Sequence, residues 1–229
     1  MNRLYCITLL LAISLTAFAQ IKVTAVKGEV FVRYGASESW LQVAVGDILK
    51  PTDSMKSGKH SSAVMTIDDI KKITVPEQVI VDASDLRELS QDEFLLKLAM
   101  EQVRSVPLPE KDQLNIPRTT TMHGSQKDTP NSLSSTLESG VLQLNGTKVL
   151  FDNGYNATGV LKTKQVYRLY PALTKQFENR LLVASAFEKL NLVRDALNEY
   201  RDLLKETTSP EQRSSIQHKV DELKKKIDG

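Results

Sequence analysis

Of the 229 residues, 41% are hydrophobic and 25% charged, with a formal net charge of +2. The charges are mixed along the chain instead of blocked, so the basic stripe that nucleic-acid binding needs is missing. A single cysteine, Cys6, stands near the start, so disulfide scaffolds and thiolate metal sites are excluded once the N-terminal segment is removed.

That segment reads MNRLYCITLLLAISLTAFAQ. Arg3 precedes an uncharged, mostly apolar run over 4–18, and Ala17-Phe18-Ala19 places small residues at the two cleavage-recognition positions. This is the pattern of a secretory signal peptide over 1–19, cleaved after Ala19. The run is short for a membrane span, which needs roughly 20 apolar residues, so no retained anchor is expected. Cys6 lies at the wrong end of the run for lipid attachment. Loss of Arg3 brings the charge of the mature chain to +1. With no disulfide, the exported chain must rely on hydrophobic cores.

From 21 to about 82 the sequence alternates with period two. Val30 and Val32 alternate with Glu29, Phe31 and Arg33; Val43 and Val45 with Gln42 and Ala44; Ala63, Met65 and Ile67 with Val64 and Thr66. Ile73 and Val75, then Val79 and Val81, repeat it. Gly28, Gly35, Gly46-Asp47, Pro51, Asp53, Gly58, Asp68-Asp69 and Pro76 punctuate these runs. Short strands at such spacing predict an all-β sandwich, barrel or roll.

The order V-K-G-E-V-F-V-R (26–33), Trp40, V-G-D-I-L (45–49), S-G-K-H-S-S-A-V-M-T-I (57–67) and I-T-V-P (73–76) resembles a FecR-like domain. I-P-R-T-T-T-M-H-G-S (116–125) is similar to that family's later strand. The resemblance implies an extracytoplasmic, non-enzymatic β domain. The family's best-known members sense a loaded outer-membrane transporter and signal through a cytoplasmic anti-sigma segment. Nothing precedes the export signal here to serve as that segment, so the sigma-factor role is not carried over.

Ser90-x-x-Glu93 is a capping box. Leu95, Leu98, Ala99 and Val103 predict one face of a helix packed on the β unit, which Pro107 and Pro109 stop. Residues 105–135, rich in Pro, Thr, Ser and Asn, predict a polar linker or excursion. Asn145-Gly146 between apolar runs predicts a type I′ hairpin within 136–165. Asn145-Gly-Thr and Asn156-Ala-Thr match glycosylation sequons, which matter only in a eukaryotic secretory pathway.

The remainder reads as helices. Leu181, Ala184, Phe187 and Leu190 share one face; Ala196, Tyr200, Leu203 and Leu204 share another. Ser209-Pro210-Glu211-Gln212 opens a third helix, with Pro at its first position and Ile216, Val220, Leu223 and Ile227 along one side. The segment resembles a tetratricopeptide repeat: Ala184 and Ala196 take the small positions, Phe187 and Tyr200 the aromatic ones, and Asn191 stands where the family usually has Gly. One repeat and a following helix are visible, short of the three that a stable array generally needs, so 166–229 is expected to be a helical hairpin with a capping helix.

Chemistry is sparse. His60, His123 and His218 fit no metal-ligand spacing, and neither Gly-x-Ser-x-Gly nor a phosphate-binding glycine loop occurs. Asp68-Asp69, with Asp47 and Asp53, could bind calcium through oxygen, but Asp is also favoured in turns. No carboxylate pair has a spacing that predicts glycoside hydrolysis. Trp40, the sole tryptophan, is either a stacking platform or, as the FecR-like pattern favours, a core residue. Lys224 to Lys226 suit a helix C-terminus.

The expected fold is therefore multidomain α+β: a FecR-like β sandwich or roll over 20–84, a helix over 85–104 packed on it, the linker, the hairpin segment, and the helical module. The expected protein is non-enzymatic, binds no cofactor or metal, and acts at the cell envelope as a binding or scaffold protein, with an extracytoplasmic sensor as the alternative. An envelope protein or peptide is the expected partner, seated in the helical groove, and peptidoglycan or another glycan the alternative. Trp40, Phe187 and Tyr200 are the candidate contact residues.

Overall fold

The structure, a computed structural model, describes residues 20–106 and 130–228. The expected signal segment, 107–129 of the expected linker, and His123 lie outside the described residues. Within them the chain is α+β, with eight strands followed by six α-helices: β1 Ile21–Lys27, β2 Val30–Arg33, β3 Leu41–Gln42, β4 Ile48–Leu49, β5 Ser54–Ser57, β6 Ser62–Ile67, β7 Lys71–Val75 and β8 Val79–Asp82, then α1 Gln91–Ser105, α2 Pro130–Asp152, α3 Asn156–Leu169, α4 Phe177–Lys189, α5 Val193–Glu206 and α6 Pro210–Asp228. No helix among the described residues is long and apolar enough to cross a membrane.

The strands form two antiparallel sheets, ordered β4-β1-β6-β7 and β3-β2-β5-β8. Alternation decides what each side carries, because successive side chains point to opposite faces. Ile21, Val23, Ala63, Met65, Ile73 and Val75 of the first sheet join Val30, Val32, Met55, Val79 and Val81 of the second in one buried cluster. Each large side chain buried this way contributes about 1.5–3 kcal/mol. Two strand expectations shift. Of the run expected at 42–45, Gln42 ends β3 and Val43 to Val45 lie in the connection to β4, with Val43 buried and Val45 63% exposed. β5 is a strand that turn-forming residues hide, since Met55 is its only large apolar side chain. Asp68 and Asp69 make the turn from β6 to β7, both with positive φ (51° and 57°).

The expected hairpin at Asn145-Gly146 is instead the interior of α2, and the linker's last residues, from Pro130, belong to the same helix. The reason is tertiary. α2 lies against β8, the open edge of the second sheet. Asn145 Nδ2 donates to the Gln78 carbonyl at 2.9 Å. A Cβ built on Gly146 would overlap the Ile80 carbonyl oxygen and sit 3.0 Å from its carbon. Glycine is there to admit a neighbouring backbone, a role its sequence signature shares with turns. α2 thus covers an edge that would otherwise offer unpaired carbonyls. Its Val149 and Leu150, with Tyr155, complete the β core, while Phe151 enters the helical core and Leu144 packs with Val166 and Leu173.

Helices α2 to α6 each pack on the next in chain order. Gly159 on α3 lets that helix close on Phe151 of α2, since an added Cβ would lie 2.6 Å from its ring. Asn191, at φ 58°, ends α4 in the left-handed region that short polar side chains tolerate. Ser209 accepts from Gln212 N at 3.5 Å at the start of α6.

α1 is capped as expected, with Ser90 Oγ accepting from Glu93 N at 3.2 Å. Its orientation differs. The buried residues are Phe94, Leu98 and Glu101; of the expected face only Leu98 is buried, and Leu95 and Val103 are exposed together with Leu96 and Met100. The helix carries apolar side chains around most of its circumference, so periodicity alone does not choose a side. It packs on the helices instead of the β unit: Phe94 meets Phe187 with ring centroids 6.5 Å apart, and Glu101 takes Arg168 Nε at 2.5 Å.

Candidate functional site

Trp40 is not in the core. It lies in the connection between β2 and β3, while Val30, Val32, Met55, Val79 and Val81 fill the inward positions of that sheet. The indole is half-buried on the sheet's outer face. Register builds its surroundings: Phe31 stands opposite Lys56, Lys56 opposite Ile80, Arg33 opposite Ser54, and Ser54 opposite Asp82. The Arg33 guanidinium carbon is 5.2 Å from the Trp40 ring centroid and Lys56 Nζ is 4.8 Å from it. Lys56 is also 5.6 Å from the Phe31 ring. Cation–π contacts of this kind contribute about 0.5–2 kcal/mol each. Across from them, Ser139, Leu142 and Gln143 of α2 form a second wall, leaving a groove of about 320 Å³.

The groove's charges are unusual in their pairing. Neither Arg33 nor Lys56 has an ion-pair partner among the described residues. Arg33 Nη2 donates to Ser54 Oγ at 3.2 Å, and its buried Nε has no acceptor among the described residues. Ser54 Oγ donates to Asp82 Oδ1 at 2.6 Å, and Lys162 of α3 holds the other Asp82 oxygen. Lys162 is also 3.7 Å from Asp85. A polar chain therefore crosses the sheet from Arg33 to the helices. Burial pushes the Asp82 carboxyl up, but the Lys162 charge and hydrogen bond, with smaller help from Ser54 and Arg33, outweigh it and hold it below its ordinary value. Asp85 goes the other way: burial, aided by the Asp82 charge and opposed by Lys162, lifts it to about 6. Lys162 is lowered by burial but raised more by Asp85 and Asp82, and stays charged.

A second groove of about 360 Å³ lies between α1 and α3 and is rich in charge. There the charges are answered internally. Arg87 Nη1 reaches Glu93 at 3.0 Å, Lys97 reaches the same carboxylate at 3.0 Å, and Glu101 is held by Arg168. It offers a ligand less than the Trp40 groove does.

Phe187 and Tyr200 do not approach Trp40. Each is 2% exposed inside the helical core, so neither can touch a partner unless the helices part. Tyr200 donates to Glu188, which also takes Lys219 at 3.1 Å; burial first, then the Glu188 hydrogen bond, raises the phenol above its usual range. The acidic candidates are spent on turns: Asp47 accepts from Ala44 N at 2.9 Å, Asp53 from Gly35 N at 2.9 Å and Lys50 N at 2.8 Å, and Asp68 from Gln20 N at 2.8 Å. Among the described residues no group of three His, Cys, Asp or Glu could hold a metal ion.

Sequence reasoning missed Arg33 and Lys56. Arg33 was legible as an outward position beside Val30 and Val32, but Lys56 needed β5 to be recognised as a strand. Gln143 and Ser139 were hidden by the hairpin expectation. No family model, no curated protein and no solved structure matches the chain.

Proposed function

We propose that this chain is an exported, non-enzymatic binding protein of the cell envelope, and that it binds through the outer face of the β3-β2-β5-β8 sheet. The observation that carries this reading is the grouping of Trp40, Phe31, Arg33 and Lys56 on one open face, with both cations lacking a carboxylate partner among the described residues. Aromatic and Arg side chains are enriched at binding surfaces because they combine area with directed polar contact. The signal-like N-terminus and the resemblance of 26–76 to a FecR-like domain support an extracytoplasmic setting. The tetratricopeptide-like α4–α5 hairpin supports a scaffold role, but with Phe187 and Tyr200 buried recognition moves to Trp40, on the β unit that α2 and α3 contact.

Co-sedimentation of the purified chain with insoluble cell-wall sacculi, beside Trp40→Ala and Lys56→Glu variants, tests the reading. Retention of the wild type and release of both variants, each folded by circular dichroism, supports it. No retention, or equal retention of all three, overturns it.

A further inference from the structure

The groove beside Trp40 also specifies the chemistry of what it takes. We infer that its ligand is a saccharide carrying an isolated carboxylate, with the carboxylate between Arg33 and Lys56 and the neighbouring sugar hydroxyls on Ser139 and Gln143. This rests on the reading above that the outer face is the binding face.

Three observations point the same way. First, the free charge is cationic and local: Arg33 and Lys56 stand beside one indole, 5.2 and 4.8 Å from its centroid. An arginine fork matches a planar carboxylate, and a charge-assisted hydrogen bond to it is about twice as strong as a neutral one. Second, the groove as a whole is only weakly basic. Asp82 on its floor is already neutralised by Lys162, and exposed Glu138 at its rim offsets one of the two cations. A densely charged polyanion gains little long-range attraction there and meets Glu138, whereas a single carboxylate between neutral groups meets the cations. Third, the opposite wall is made of hydrogen-bonding side chains. Gln143 Nε2 lies 3.4 Å from Ser139 Oγ, a contact long enough to exchange for a hydroxyl. A peptide partner would want a broad apolar centre, and the groove's aliphatic lining is limited to Leu142 on that wall and Ile80 on the sheet. The volume, about 320 Å³, falls at the small end of ligand sites, roughly 300–1,000 Å³, which suits one or two sugar rings.

The sole tryptophan sits in the site, so its fluorescence reports binding there. The full chain is titrated with a hyaluronan tetrasaccharide, in which carboxylates alternate with neutral sugars, and with the same oligosaccharide after chemical reduction of its carboxyls to alcohols. Tetraglutamate and a heparin tetrasaccharide are run in parallel. The expected result is a saturating change with the native tetrasaccharide, at least tenfold weaker binding of the reduced one, and at least tenfold loss in Lys56→Met with an unchanged melting temperature. Heparin and tetraglutamate bind more weakly than the native sugar. Equal binding of the reduced oligosaccharide removes the carboxylate from the account. Tetraglutamate binding as tightly makes the ligand an acidic peptide, and tighter heparin makes the site a polyanion patch; either overturns the inference. A silent titration with Trp40-dependent retention on sacculi also overturns it while leaving the binding face intact. If retention fails as well, both readings fall.

Discussion

Two of the contacts between the β unit and the helices differ in kind. At the edge of the second sheet, α2 meets β8 through shape: Gly146 against the Ile80 carbonyl, with Val149 and Leu150 entering the β core. A few residues along, α3 meets the same strand through charge, with Lys162 between Asp82 and Asp85. The first contact tolerates no added atom and is indifferent to pH. The second tolerates size and responds to protons. One contact fixes where the helices sit; the other makes the strength of their attachment depend on conditions.

The steric contact should break most easily. At an unhindered helix position, replacing Gly with Ala stabilises by about 1 kcal/mol. At Gly146 the same methyl must displace the β8 backbone, an overpacking expected to cost about 2–3 kcal/mol net. Gly146→Ala should therefore lower the melting temperature by roughly 4–12 °C, at about 2–4 °C per kcal/mol for a chain of this size. Calorimetry at pH 7.5 and 5 should give the same drop. A rise would mean that α2 is not seated on β8.

Lys162→Met keeps the length of the side chain and removes the charge, leaving two carboxylates facing each other. Breaking a fully buried pair costs about 3–5 kcal/mol; with the carboxylates 25% and 23% exposed the expected loss is about 2 kcal/mol at pH 7.5. That loss should shrink toward pH 5, where Asp85 takes up a proton. Thermal melts of the variant across this range would show a drop that narrows with acid, and a constant drop would mean that Lys162 acts by packing alone.

Asp85→Asn separates the two contacts further, and with the opposite sign. A carboxyl raised to about 6 in the fold, from about 3.9 unfolded, binds its proton more tightly when folded. Its stabilising share is complete below about pH 4 and is lost as pH rises through 6. The amide is free of that loss. The variant should be more stable than wild type by about 1 kcal/mol at pH 7.5, with the difference shrinking as pH falls and gone below about pH 4. A variant less stable than wild type at pH 7.5 would show that the attraction of Asp85 to Lys162 outweighs its burial.

These contacts also mark where the sequence was readable. Period-two alternation located Val30, Val32, Ala63, Met65, Ile67, Ile73 and Val75 on the inner faces, because a strand with one buried side has no other way to place them. The C-terminal helices were equally plain in Ala184, Phe187, Ala196, Tyr200 and Ile216. The joint was not. Asn145-Gly146 has the local chemistry of a turn, and only the approach of β8 explains a glycine inside a helix. α1 offers apolar residues on two sides, and the choice of Phe94 over Leu95 was made by Phe187, 93 positions away in the chain. The candidate site was half legible: Trp40 stands out as a residue, but the cations beside it come from outward positions whose meaning depends on the register of β2 and β5.

Because α2 finishes the β core, the order of synthesis matters to this protein. A chain is made N-terminus first, at about 5–20 residues per second. When β8 has emerged, Val149 and Leu150 are still roughly 70 residues and some 3–14 seconds away. For that interval the newborn β unit has an uncovered edge and an unfilled flank, the kind of surface that holdase chaperones protect and that strands of neighbouring chains join.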